Sequence, residues 1–400
     1  MKKYALAIDL GTSSVKTALI SATGEMLIRS TAPLTLLLQP NGGAEQDPEE
    51  WWKAIRFCIR EMMEATQIES GQIVAISCTG QWSGTVAVDR QGRPLMNALI
   101  WMDSRGAPYV RQITGGLIEI LGFHPWRLQK WLRLTGGIPA HSGKGPIGHI
   151  LYIKHERPEI YAATHKFLEP KDNLNLLLTG QFATAVDAIA LHWVADVRNL
   201  TQAKYDDELL RMATVERDKL PEIQSVAEIV GGLRADIAQK LGLEAGTPVV
   251  MGTPDLHSGL LGAGAVEDYA GNLPLGSSSW VTCHVPFKKI DALHNMTSMP
   301  AAIPERYFVV NEQESACACL NYLRDAVFYP QDGLDETPPP ADFYQRCDQL
   351  VATTSAGSNN LIFTPWLYGA RTPVEEHTLR AGFHNLSLEH SRAHVVRAVF

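Results

Sequence analysis

One stretch near the N-terminus combines residue types that suit phosphate chemistry. Asp9 ends a short apolar run, and a turn of glycine and small hydroxyl residues follows it: Gly11, Thr12, Ser13 and Ser14. Glycine tolerates backbone angles that other residues resist, so the amides of such a turn can point at one anion. Asp9 would hold the water shell of a magnesium ion, and Lys16 would either add positive charge or face solvent. The stretch favours a terminal phosphate as ligand, with an ordinary polar hairpin turn as the alternative.

A second carboxylate stands at the end of another apolar run. Asp255 follows the run 249–252 and Pro254, and small residues that predict a helix over 260–266 come after it. An aspartate at such a junction is commonly a helix N-cap. Polar groups at strand ends are also where α/β proteins place ligand contacts. Asp255 is therefore a candidate ligand contact whose alternative is capping.

Further polar groups stand next to glycine breaks. The sequence 80–84 reads Gly-Gln-Trp-Ser-Gly after a buried-looking run, and 101–105 reads Trp-Met-Asp-Ser-Arg after another. A Gly-Ser turn at 276–279 stands between two predicted strands. These positions extend the set of candidate ligand contacts.

Apolar runs and capping signals predict the elements that carry these residues. Strands are expected over 4–9, 15–21, 26–34, 72–79, 85–89 and 249–252. Asp47 and Pro48 mark a helix start, and the apolar residues after them, Trp51 and Trp52 among them, recur at helical spacing. Lys171 and Asp172, ahead of a helix that ends at Gly180, are interpreted as a surface pair. The fold class indicated is α/β.

Composition narrows the function classes. The chain has 400 residues, enough for two domains, and a net charge of −8. It has no basic stripe with interleaved aromatics, which argues against a nucleic-acid partner, and no apolar run of about eighteen residues that would cross a membrane. Six scattered cysteines without a Cys-x-x-Cys pair argue against disulfides and a zinc site. A cytoplasmic protein fits this pattern.

Four motifs in order carry a family resemblance: Asp-Leu-Gly-Thr-Ser-Ser from Asp9, Glu-Gln-Asp-Pro-Glu-Glu-Trp-Trp from Glu45, Gly-Gln-Trp-Ser-Gly from Gly80 and Ile-Trp-Met-Asp-Ser-Arg from Ile100. This order resembles the FGGY family of carbohydrate kinases, and its xylulose-kinase-like branch most. The sequence 361–373 resembles a further signature of that family.

The resemblance implies an architecture. It implies two lobes of the actin/hexokinase type, which are ribonuclease H-like, with the sugar and ATP meeting between them. We expect residues 1–245 to form the sugar-binding lobe with the first phosphate loop, and residues 246–400 to form the ATP-binding lobe. The chain ends in the opening turns of a helix, where the family continues into an adenosine-binding part. The second lobe is therefore expected to be incomplete in this chain.

The resemblance also implies roles for residues. Asp255 matches the aspartate that takes the proton from the sugar hydroxyl. Gly276, Ser277 and Ser278 match a second phosphate loop, with Ser279 where the family usually has glycine. The candidate sugar contacts are Gln81, Trp82, Ser83, Trp101 and Asp103. Trp82 and Ser83 depart from the Met-His of typical xylulose kinases, so a different sugar is expected.

The function expected is phosphorylation of a sugar or polyol by ATP with Mg²⁺. The family often forms dimers, so a homodimer is one possible assembly, and the sequence leaves the oligomeric state open. One alternative is a non-catalytic sugar-binding or regulatory member, which the missing C-terminal part favours and the retained Asp9 and Asp255 oppose. Another is an actin-like ATPase, against which the motifs at 80–84 and 101–105 argue.

Overall fold

The computed structural model describes residues 2–400 apart from Leu121, Ser277, 292–295, Asp335, Arg371, 373–375 and His377. The chain forms two compact units. The first comprises Met1–Val266, Val285–Lys289 and Ser298–Phe308, and the second comprises Glu267–His284, Ile290–Thr297 and Val309–Phe400. The first unit continues past residue 245, and the assignment of sugar and ATP to separate lobes stays a prediction.

The described residues form the following strands and helices, given in chain order. The strands are β1 Tyr4–Leu10, β2 Ser14–Ser21, β3 Met26–Pro33, β4 Leu37–Leu38, β5 Ala44–Gln46, β6 Ile73–Gly80, β7 Val86–Val88, β8 Ala98–Leu99, β9 Lys166–Leu168, β10 Ala183–Ala185, β11 Ala195–Asp196, β12 Lys204–Tyr205, β13 Glu222–Gln224, β14 Ile229–Gly232, β15 Pro248–Val250, β16 Ser279–Val285, β17 Ile290–Asp291, β18 Met296–Pro300, β19 Tyr307–Gln313, β20 Ile362–Thr364 and β21 Gly382–His384. The helices are α1 Pro48–Ala65, α2 Ala107–Thr114, α3 Pro125–Thr135, α4 Pro146–Glu156, α5 Pro158–Ala163, α6 Pro170–Thr179, α7 Asp207–Ala213, α8 Ala235–Leu241, α9 Asp255–Gly262, α10 Cys317–Tyr322, α11 Phe343–Val351 and α12 Arg392–Val399.

The main sheet of the first unit has the strand order β14-β15-β6-β1-β2-β3. The meander β1-β2-β3 is antiparallel, whereas β1 pairs with β6 and β6 with β15 in parallel. Since the carboxyl ends of parallel strands meet at one edge of a sheet, the segments after β1, β6 and β15 lie together. That edge brings Asp9, Gln81 and Asp255 into one region. The predicted meander is confirmed within one residue at each strand end.

Helix α1 covers this sheet and shows why the local sequence folds as it does. Asp47 caps the helix by accepting a hydrogen bond from the amide of Glu49 at 2.9 Å, and Pro48 occupies the first turn. The buried face includes Trp51 and Ile59, which pack into the same core as the alternate residues of β1. The predicted helix start is confirmed, and so is core packing for Trp51, which is fully buried.

Two predictions about the region of Asp255 are wrong in detail. Helix α9 begins at Asp255 itself, not at residue 260, and Pro254 is its N-cap residue. Lys171 and Asp172 are not on the surface, because the first turn of α6 packs inside the first unit, where the two side chains are 2% and 0% exposed.

The later part of the chain has its own sheet and a small helical core. Strands β16, β19, β18 and β17 form a four-stranded sheet in that order. Helix α10 continues as a π-helical turn over Leu323–Phe328. Phe343, Cys347 and Val396 pack α11 against α12.

Candidate active site

The first phosphate-type turn is tight and lies at the carboxyl end of β1. The amide of Gly11 donates to the carbonyl oxygen of Ser14 at 3.0 Å, and a Cβ at Gly11 would lie only 3.0 Å from that oxygen. Asp9 pairs across the hairpin with Lys16, and their carboxylate and ammonium groups are 3.2 Å apart. Ser13 is exposed, whereas Thr12 and Ser14 are partly buried. The turn therefore presents hydroxyl groups beside a carboxylate that retains contact with solvent.

A chain of side-chain hydrogen bonds holds this turn in place. The Thr12 hydroxyl donates to Gln81 Oε1 at 3.2 Å and accepts from Trp101 Nε1 at 3.0 Å. Gln81 Nε2 donates to Gln46 Oε1 at 2.7 Å, and Gln46 Nε2 donates to the Thr12 carbonyl oxygen at 2.6 Å. Trp51 Nε1 also donates to Gln46 Oε1. These bonds connect the turn after β1 to the ends of β5 and β6, so the conformation of the turn is set before any ligand arrives.

Gln46 is a member of this chain that the sequence analysis missed. Its side chain is fully buried, and it lies directly before the N-cap of α1. The only sequence signal for Gln46 was its position as a polar residue immediately before a strongly apolar helix. Its hydrogen-bond partners Thr12 and Gln81 are too distant in sequence to be inferred from that signal.

Asp255 lies at the start of α9, partly buried. Its Oδ1 accepts from the Leu256 amide at 2.8 Å. Burial is the main cause that raises the pKa of the Asp255 carboxyl to about 6. The negative charge of Asp9 raises the pKa further, while hydrogen bonds from the Leu256 and Trp82 amides and the charge of Lys16 oppose the rise. A carboxylate with a pKa near neutrality is suited to accept a proton.

Trp82 and Ser83 follow β6 in a sharp bend. The indole of Trp82 is only 6% exposed, its Nε1 donates to the Ala188 carbonyl oxygen at 2.8 Å, and its ring meets that of His257 edge-on at 5.0 Å. Ser83 has a φ of 68°, in the left-handed region that non-glycine residues rarely occupy. Strain of this kind is common where a backbone is shaped for a ligand.

Asp103 lies in the interior and not on an open surface. Its carboxylate accepts from the Ala44 amide at 2.9 Å and from Arg105 Nε at 2.9 Å, and its exposed fraction is 0%. Arg105 in turn pairs with Glu45 at 2.7 Å and stacks over the ring of Tyr152. Asp103 therefore fixes the corner after β8, next to Trp101, whose side chain is 43% exposed.

The second phosphate-type turn belongs to the second unit. The Gly276 amide donates to the Ser278 carbonyl oxygen at 2.9 Å, and the Gly276 carbonyl oxygen accepts from the Cys317 amide at 2.9 Å. Gly276 is exposed and Ser278 is partly buried. Ser277, the third predicted residue of this loop, lies outside the described residues.

The described part of the chain contains no group of three or more His, Cys, Asp or Glu residues that could hold a metal ion. A hydrated magnesium ion requires less, since it usually keeps several waters and binds through one or two carboxylates and substrate phosphates. The partly exposed carboxylate of Asp9, beside the hydroxyl-rich turn, fits that requirement. None of the helices in the described residues is long and apolar enough to cross a membrane.

The chain is similar to proteins of known class along its whole length. The model of the FGGY family of carbohydrate kinases, N-terminal domain, matches residues 4–262. A xylulose kinase from Staphylococcus epidermidis is 27% identical over 100% of this chain and 74% of its own length. A xylulose kinase from Escherichia coli is 29% identical over 98% of this chain and 75% of its own. The crystal structure of gluconate kinase from Lactobacillus acidophilus superimposes with a TM-score of 0.82 at 25% identity, covering 100% of this chain and 75% of that one.

The α/β fold and the similarity to gluconate kinase and xylulose kinases define an ATP-dependent carbohydrate kinase with the two-lobed actin/hexokinase-like fold. Because the family model covers more than half of its residues, the chain belongs to the FGGY family of carbohydrate kinases. The predicted fold class and the predicted enzyme class are confirmed. The chain spans about three quarters of the length of the relatives that it matches.

Proposed function

We propose that Asp255 is the general base that activates a hydroxyl of the sugar or polyol for attack on the γ-phosphoryl group of ATP. The observation that carries this proposal is a carboxylate at the sheet edge whose pKa is raised to about 6. A sugar hydroxyl is a poor nucleophile, so a group within hydrogen-bond reach must accept its proton as the new P–O bond forms. Breaking the bond to the β-phosphate oxygen releases ADP, and the proton on Asp255 is then lost to solvent.

The two glycine- and serine-containing turns hold the phosphates in this proposal. Gly11, Thr12, Ser13, Ser14 and Lys16 bind through amides, hydroxyls and one positive charge, and Gly276, Ser277 and Ser278 form the second loop. Phosphoryl transfer depends on positioning and charge stabilisation more than on covalent help. The hydrogen bonds that hold Thr12 from both sides support such positioning.

Asp9 would hold hydrated Mg²⁺, which supplies charge neutralisation on the transferring phosphoryl group when it is bound. Lys16 lies within hydrogen-bond distance of Asp9 and limits the negative charge near Asp255 when the ion is absent. In this proposal Asp9 binds the hydrated metal ion, and Asp255 accepts the proton of the sugar hydroxyl.

The sugar side is proposed to consist of Gln81, Trp82, Ser83, Trp101 and Asp103. Their burial suggests different contributions. Trp101 is the most exposed of the five and offers an aromatic face to sugar C–H groups, whereas Gln81 and Asp103 are buried and hold the surrounding backbone. The Ser83 hydroxyl and the backbone beside it supply polar contacts.

The proposal also covers the cellular compartment and the oligomeric state. All six cysteines are free, which fits a reducing cytoplasm. A homodimer stays a prediction from the family resemblance.

Sugar-stimulated ATP turnover tests the function. We expect ADP release to rise in the presence of one member of a panel of ketoses, aldonates and polyols, with D-xylulose not the best substrate. Typical xylulose kinases have Met-His where this chain has Trp82 and Ser83, and a site built to bind a hydroxyl discriminates strongly.

ATP hydrolysis unaffected by every sugar would support an actin-like ATPase. Sugar binding by calorimetry without turnover would support a binding protein, and D-xylulose at the top of the ranking would contradict the specificity.

A further inference from the structure

The backbone segment directly before Asp255 has a conformation that requires glycine at one position. Residues 251–254 join β15 to α9 and end directly before Asp255. Gly252 has a φ of 68°, and a Cβ at this position would lie 2.0 Å from the Cys78 carbonyl oxygen. The segment is thus pressed against β6 in a conformation that only glycine tolerates. Such a segment needs firm anchors on either side of the glycine.

Buried side chains supply those anchors. The Met251 carbonyl oxygen accepts from Asn175 Nδ2 at 2.8 Å and from Lys171 Nζ at 3.2 Å. On the other side of Gly252, the Thr253 hydroxyl donates a short hydrogen bond to the carboxylate of Asp187. The Thr253 carbonyl oxygen accepts from the Thr79 hydroxyl at 2.7 Å. Each residue next to Gly252 is therefore held by the interior of the first unit.

The carboxyl group of Asp187 is energetically unfavourable in the interior of the first unit. It is 0% exposed, and burial raises the pKa of its carboxyl, although the Lys171 charge and the hydrogen bonds from Thr253 and the Ala188 amide oppose the rise. A buried carboxylate is strongly unfavourable unless it is paired and hydrogen-bonded. The partners of Asp187 are the Ala188 amide, at 2.8 Å from Oδ1, and the Thr253 hydroxyl at Oδ2. The bond from Thr253 connects Asp187 to a residue that is distant in sequence and lies two positions before Asp255.

We propose that Asp187 is a positioning residue, which fixes Asp255 through the hydroxyl of Thr253. The proposal rests on the proposed role of Asp255 as general base. Catalytic groups need placement within a fraction of an ångström, and a displacement of about 1 Å can cost about 10²-fold in rate.

Thr253→Val tests the proposal, since valine has the shape of threonine without the hydroxyl. The matched control is Thr184→Val, because the Thr184 hydroxyl donates at 2.6 Å to Asp172, another fully buried carboxylate of this region. Both changes leave a buried carboxylate short of one donor, so both should lower the melting temperature to a similar extent. Only Thr253 bonds within the segment before Asp255.

We expect Thr253→Val to lower kcat roughly 10- to 100-fold with the KM for the sugar near its wild-type value. Thr253→Ser, which keeps the hydroxyl, should restore most of the rate, and Thr184→Val should retain it. Amide hydrogen exchange of peptides that cover residues 251–258 should accelerate in Thr253→Val and not in Thr184→Val. This readout does not depend on turnover.

Unchanged kcat and unchanged exchange in Thr253→Val would overturn the proposal. An equal loss of kcat in Thr184→Val would also overturn it, since the effect would then reflect destabilisation in general. If Asp255→Asn retains turnover, the proposed function fails, while the exchange measurement still decides whether Asp187 fixes this segment.

Discussion

Asp255 and Asp9 are carboxylates of the same region with different surroundings. Asp255 is partly buried and accepts backbone hydrogen bonds, whereas Asp9 keeps a third of its side chain in solvent beside Lys16. Burial disfavours the charged form of a carboxyl group, so the packing around Asp255 favours its protonated form. The environments therefore support a base at Asp255 and a metal or phosphate role at Asp9. The sequence analysis already proposed different roles for the two carboxylates, and the packing adds the difference in burial between them.

The pH dependence of turnover follows from the pKa of Asp255. A general base must be ionised, and the pKa of this group is raised to about 6, so kcat/KM for the sugar should fall as the pH drops through about 6. Lys16→Met removes a charge that lowers this pKa, so the acid limb of the profile should move to higher pH. Flat kcat/KM from pH 7 down to the ordinary aspartate range would contradict the assignment.

At the scale of elements, the parallel strands β1, β6 and β15 bring three separate stretches to one edge of the sheet. Apolar runs joined by a polar turn made the hairpin predictable, and capping residues did so for the start of α1, because those signals are local. The hydrogen-bonded chain through Gln46 was not predictable, because its members are up to 89 residues apart. The burial of Lys171 and Asp172 was missed for the same reason, since their partners belong to other elements.

The turn after β1 should depend on Gln46. Gln46→Met keeps the length of the side chain but removes the acceptor for Gln81 and Trp51 and the donor to the Thr12 carbonyl oxygen. We expect roughly a tenfold loss of kcat/KM for ATP and a loss of stability of about 1–3 kcal/mol.

The matched control for Gln46 is Gln39→Met, because Gln39 is an exposed glutamine. Its side chain donates to Glu45 and accepts from Arg105, and it makes no bond to the turn. It should leave kcat/KM for ATP unchanged. The importance of the turn would be contradicted by Gln46→Met with unaltered ATP kinetics, measured by coupled ADP release and by thermal unfolding.

At the scale of the whole molecule, the order of short motifs carried more information than any single motif. A glycine turn after a strand is compatible with many folds, but four different motifs in the right order predicted the family that the comparisons show over residues 4–262. The same motifs did not reveal which residues face a ligand. Asp103 and Trp82 are buried, and Trp101 is more open, because burial is decided by the packing of distant elements.

The central claim is that Asp255 accepts the proton of the sugar hydroxyl, and Asp255→Asn tests it most directly. Asparagine keeps the shape of the aspartate side chain and can still accept the hydrogen bond from the Leu256 amide, but its amide group cannot accept a proton near neutral pH. We predict that kcat falls roughly 10²- to 10⁴-fold while sugar binding is retained.

The melting temperature at pH 7 is the matched readout. A raised folded-state pKa means that the stabilising contribution of protonated Asp255 is complete below the pKa of unfolded aspartate and is lost as the pH rises through about 6. The neutral amide should therefore not lower the melting temperature at pH 7. Sugar-dependent turnover of Asp255→Asn within a few-fold of wild type, at an unchanged melting temperature, would contradict the account.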